Sequence, residues 1–132
     1  MFAFVSVALG LAVAVPEVEP EARHRSIDPL TVEIAHCAVV MKLSAGIATA
    51  LATDPAPRLA GEADAARDLV HRRVAATLRL GEAEAAMVAA LLLAVRSDSA
   101  QRDVIAAHAA TGEPLPRTLI SDCRATLQGA GE

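Results

Sequence analysis

Two cysteines and three histidines are the side chains of this sequence whose chemistry depends most on where a fold would put them: Cys37 and Cys123, and His36, His71 and His108. Imidazole nitrogens are good ligands for zinc and copper, and three of them drawn from three helices would make a metal site inside a bundle. His36, His71 and His108 are therefore the candidate metal ligands. None is followed by a second ligand three or four residues on, the spacing that puts two side chains on one helix face. His36 and Cys37 are adjacent, so they point to different faces. His71 stands among Arg67, Arg72 and Arg73, whose charge opposes a bound cation. His36 and Lys42 together are the side-chain types of a phosphotransfer helix, but that pairing is nonspecific.

The cysteines point elsewhere. A reactive thiol needs a polar, partly exposed setting that lowers its pKa, and both Cys37 and Cys123 fall on apolar stripes. There is no CxxC pair. In an oxidising compartment two such residues read as one disulfide, Cys37–Cys123; in a cytosolic core they would be two buried thiols. A bridge would clamp the last helix to the first.

Catalytic motifs are missing. The sequence contains no GxSxG, HExxH, P-loop or CxxCH. The acidic pairs Glu17/Glu19 and Glu82/Glu84 fall in a tether and at a helix start, not in a cleft. The Arg67 to Arg79 region is interleaved with Asp64 and Asp68, the pattern of a solvated, salt-bridged face. No catalytic residue, cofactor-binding residue or cofactor is assigned.

Composition narrows the partners. The net charge is −4, and no dense basic run interrupts it. Nucleic-acid binding calls for a basic face, and single strands are held by aromatic stacking. Phe2 and Phe4 are the only aromatics, with no Trp and no Tyr. Nucleic acid is therefore not an expected partner.

The first residues, MFAFVSVALGLAVAV, are uncharged from Phe2 to Val15. That length fits the apolar region of an export signal and is short for a membrane span, which needs about 20 residues. Ala12 and Ala14 place small residues where a signal peptidase reads them. The expectation is a signal peptide over residues 1–14, an extended leader over 15–27 and a helical domain over 28–132, with no membrane span after cleavage. The stretch lacks a Lys or Arg before its apolar region. The other reading of it is a buried N-terminal segment or an uncleaved anchor.

Helices must position everything else. Asp28 is a good N-cap and Pro29 suits the first helical position, so a helix is expected over 28–52, halted by Asp54-Pro55. Leu30, Ile34, Cys37, Met41, Ala48 and Leu51 share one face of it; Val32, Val39, Leu43 and Ile47 cover much of the other. A helix apolar on both sides belongs at the centre of a bundle. A loop over 53–61, rich in Pro and Gly, leads to a second helix over 62–80 with Ala66, Val70, Val74 and Leu78 buried and Gly81 at its end. The run AAMVAALLLAV, residues 85–95, makes the third helix, 82–96, a buried one. Ser97-Asp98-Ser99 offers caps for a fourth helix over 99–110, which is either separate or a continuation of the third. EPLPR is a stiff linker to a last helix over 117–128 carrying Leu119, Cys123 and Leu127. No alternating strand pattern occurs.

The expected fold class is all-α: a single-domain antiparallel bundle of four to five helices with one disulfide. The expected function is that of an exported, periplasmic or secreted, non-enzymatic module that binds an unknown protein partner, or itself, through an apolar helix face. Two alternatives stand beside it. One is a periplasmic bundle that binds a metal or small ligand; the other is a cytosolic helical regulator whose N-terminus is a core segment.

Overall fold

The computed structural model describes residues 26–131. The expected signal peptide and all but the end of the leader lie outside them. The fold is an all-α bundle of four helices, with no strand among the described residues: α1 (Pro29–Ala50), α2 (Ala56–Leu78), α3 (Glu82–Thr111) and α4 (Arg117–Ala130). The connections are short enough to reverse the chain from one helix to the next.

α1 starts where its capping residues predict. Asp28 is extended, and its Oδ1 accepts the Thr31 amide at 2.9 Å, with Pro29 in the first turn. Its buried positions, from Thr31 to Ala48, spread over more than half its circumference, as expected of a central helix. Leu30 and Leu51, expected in the buried face, sit at the helix ends and are exposed. Small residues fill much of the buried face: Ala35, Ala38, Ser44 and Ala45 are buried, as is Ala48 as expected. They let neighbouring helices approach closely. Ser44 needs no outside partner, because its hydroxyl donates to the Val40 carbonyl at 2.7 Å. α1 is the one described helix long and apolar enough to cross a membrane, and half of that apolar stretch is buried within the bundle.

The core falls into two clusters, and α1 runs through both. Toward its C-terminal half, Cys37, Val40 and Met41 pack with Leu59 and Ala63 of α2, Ala100 and Val104 of α3, and Ile120 and Cys123 of α4. Toward its N-terminal half, Ile34 and Ala35 pack with Val70 and Val74 of α2 and Ala85 and Ala89 of α3.

Three boundaries differ from expectation. α2 begins at Ala56, within the expected loop, because Pro57 falls in the first turn, where amides have no intrahelical acceptor to lose. Leu59 thereby becomes a core residue. The third and fourth expected helices are one, α3, of 30 residues. Neither Pro nor Gly interrupts it, and Ser97-Asp98-Ser99 continues the helix rather than capping a new one. Finally, α2 ends at Leu78 with Arg79 as its cap, short of the expected Leu80 and Gly81. Arg79 takes the left-handed conformation (φ 55°), and its amide and that of Leu80 both donate to the Ala75 carbonyl. Gly81 instead caps the start of α3.

An L-residue in that conformation is strained, and Arg79 is exposed. Arg79→Gly is expected to raise the unfolding free energy by about 0.5 kcal/mol, the relief of strain outweighing the extra freedom glycine brings to the unfolded chain. A small rise in Tm on thermal unfolding checks it.

Candidate functional site

Cys37 and Cys123 form a disulfide, with Cα atoms 5.4 Å apart. It fixes the middle of α1 to the middle of α4 inside the larger core cluster. Both residues are buried, and the described residues contain no free cysteine.

The three histidines do not converge. Among the described residues no group of three or more His, Cys, Asp or Glu side chains is placed to hold a metal ion. His36 is engaged across α1 and α3: its Nε2 lies 2.9 Å from Asp103 Oδ2 and its Nδ1 lies 3.3 Å from Arg96 Nη2. A neutral ring that donates from Nε2 and accepts at Nδ1 satisfies both neighbours. His71 lines a shallow surface depression between α2 and α3, beside Asp64, Arg67 and Asp68. His108 is exposed near the end of α3, 2.8 Å from the Glu113 carbonyl oxygen. The His36 contacts tie two helices together, and sequence reasoning had no signal for them, because Asp103 and Arg96 are 60 or more positions away.

Two further ion pairs brace the bundle. Arg73 donates through Nε to Thr31 Oγ1 at 2.9 Å and through Nη2 to Asp28 Oδ2 at 3.0 Å, joining α2 to the start of α1. Arg72 makes the expected helical pair with Asp68, at 3.6 Å and exposed. On the other flank Arg124 of α4 grips both carboxylate oxygens of Glu62 on α2, at 2.8 and 2.9 Å. These hydrogen bonds hold the Glu62 carboxyl below the usual carboxylate range, against the opposing effect of partial burial, and they push Arg124 up. Asp28 is held low as well, first by hydrogen bonding from Thr31 and then by Arg73.

Depressed carboxylates make stability fall with acid. A carboxyl whose folded pKa lies below its unfolded value contributes stability above the unfolded value and loses it as pH falls through the folded one. For Glu62, with an ordinary value of 4.5, the loss begins near that pH and continues below it. Urea midpoints measured from neutral pH downward should therefore decline below about pH 4.5. Glu62→Gln should cost about 1 kcal/mol at neutral pH and flatten the acid decline.

The exposed face of α3 is the least expected feature. Met87, Leu91 and Val95 follow one another at intervals of four residues; beyond them the exposed charges of Asp98 and Arg102 occupy the face before Ile105. The four apolar residues are 60, 61, 72 and 66 % exposed. The run 85–95 was expected to be buried, and it is buried on one side only: Ala85 and Ala89 enter the core while Met87, Leu91 and Val95 face solvent. Beside this stripe, Ala90 and Ala94 form one wall of a groove of about 530 Å³, whose floor is Val39, Leu43 and Gly46 of α1. Lys42 and Arg67 stand at its edges. A Cβ placed on Gly46 would meet nothing within 4 Å.

No protein-family model matches the chain, and neither the curated proteins nor the solved structures provide a significant match to it.

Proposed function

We propose that this chain is an exported, non-enzymatic helical module that binds a protein partner through the apolar face of α3. The observation that carries this reading is the solvent-facing line of Met87, Leu91 and Val95 on a 30-residue helix. Single exposed apolar residues are ordinary, but three in a row along one helix face, Met87, Leu91 and Val95, mark an interaction surface. An amphipathic helix packing alongside would bury it at the spacing such anchors require. Two features support export: the uncharged apolar segment over residues 2–15 and the pairing of Cys37 with Cys123. Disulfides persist in oxidising compartments such as the periplasm and the exterior.

Two measurements on protein from its host test the reading. The intact mass after alkylation without reduction is expected to match residues 15–132 with no alkyl group attached. A full-length mass with two alkyl groups would refute export and move the cytosolic-regulator reading forward. For the binding role, a photo-crosslinker at position 91 is expected to join the chain to protein, while one at exposed Arg79 is not. Equal yields at the two positions would end the claim that α3 is a docking face.

The groove beside the stripe favours a second reading, a bundle that binds a small apolar ligand. Its volume is within the range of ligand sites, and its lining is mostly aliphatic. Gly46→Leu would fill it without a clash at Cβ. Loss of a ligand that co-purifies with the unaltered chain, on that substitution, would support this reading; no co-purifying ligand would count against it.

A further inference from the structure

We infer that the partner of the α3 face is a second copy of this chain, paired antiparallel across a two-fold axis. The inference rests on the reading of α3 as a docking face and goes on to name what docks there.

The order of charges along the stripe carries it. A two-fold axis midway between Leu91 and Val95 sets Leu91 of each copy against Val95 of the other. Glu84 lies two turns before Leu91, and Arg102 lies two turns after Val95, on the same side of the helix. The same axis therefore sets Glu84 of each copy against Arg102 of the other. Both are exposed, and neither has an ion-pair partner among the described residues. The result is an isologous interface: an apolar centre flanked at both ends by an opposite-charge pair.

Neighbouring registers are poorer. Slide the copies by one turn so that Leu91 meets itself, and Glu84 faces Asp98, a like charge. Slide them the other way so that Val95 meets itself, and Glu84 faces Ala106 while Arg102 faces Val88. Of these three registers, the Leu91–Val95 one alone sets Leu91 against an apolar residue and Glu84 against an opposite charge, and charge patterns of this kind fix register and partner choice in antiparallel helix pairs. Ala94, beside the seam, has no side chain beyond Cβ to hold the two backbones apart.

Sedimentation equilibrium of the oxidised chain recovered from its host, from about 1 μM to about 1 mM, tests the inference. The expected result is a reversible monomer–dimer equilibrium. Because each substitution acts twice in a symmetric dimer, Glu84→Arg and Arg102→Glu should each weaken it by about tenfold or more. Combining them exchanges the charges and should restore the dissociation constant to within about threefold. Leu91→Glu should leave a monomer with the helical circular dichroism of the unaltered chain, since Leu91 is exposed in the fold. A dimer indifferent to the two reversals, or one not restored by the exchange, overturns the pairing. A monomer at every concentration overturns it too, and the crosslinker at position 91 then separates the cases. Crosslinks to a different protein leave α3 a docking face with another occupant; none at all removes both readings.

Discussion

Breaking the Cys37–Cys123 bond is expected to lower the unfolding free energy by up to about 4.5 kcal/mol. The bridge joins residues 86 positions apart. Loop closure of that length removes about this much entropy, expressed as free energy, from the unfolded chain. The loss should be severe, since small domains are stable by only about 5–15 kcal/mol and this core is poor in large side chains. Among the described residues, of those fully buried only Ile34, Met41 and Leu59 exceed valine in size, and alanines fill many other places. Each alanine removes little apolar area from water. Urea unfolding of the oxidised chain and of Cys37→Ala/Cys123→Ala should show the midpoint falling by about 2 M. A fall of a few tenths would mean that the unbridged unfolded chain already keeps α1 and α4 close.

Leu59→Ala is expected to cost about 3 kcal/mol, the usual result of hollowing a core at a leucine. Leu59 is 1 % exposed and packs in the cluster that holds Met41, Ala45, Ala48 and Ile120. Alanine neighbours cannot reach into the space, because they have no rotamers to swing. The control is Leu91→Ala on the exposed face of α3, where a change within about 0.5 kcal/mol is expected. The pair discriminates sharply, since the residue names are the same and only the placement differs. Were Leu59 a loop residue, as the prolines around it suggest, both substitutions would be mild.

That contrast also shows where local sequence signals stop. Asp28-Pro29 marks the start of α1 correctly because capping is settled within four residues. Cys37 and Cys123 could be paired on paper because the chain contains no other cysteine. Leu59 was misplaced because Pro55, Pro57 and Gly61 are signals of both a loop and a helix's first turn, and only packing decides between them. The division expected near Ser97-Asp98-Ser99 failed for a similar reason: residues that cap helices also tolerate helix interiors when their hydroxyls find local partners, as Ser99 does in accepting from Arg96 at 3.4 Å.

The α3 face lies deeper than any local rule. Met87, Leu91 and Val95 have the spacing of a buried stripe, and nothing in the run 85–95 says which side will meet the core. The choice falls to Ala85 and Ala89, whose small side chains let α3 lie close against Ile34, Ala35 and Val70. The Glu62–Arg124 and His36–Asp103 pairs are likewise products of tertiary placement, each linking helices far apart in sequence.

The bridge between α1 and α4 also decides how the molecule carries load. All of α2 and α3 lies between Cys37 and Cys123 in the chain, inside a covalent ring. Tension applied at the two ends passes from the first turns of α1 through the sulfurs into the last turns of α4. It never stretches α2 or α3. Only the residues outside the ring can lengthen, so the face presented by Met87, Leu91 and Val95 stays mechanically shielded even when the ends of the chain are pulled apart.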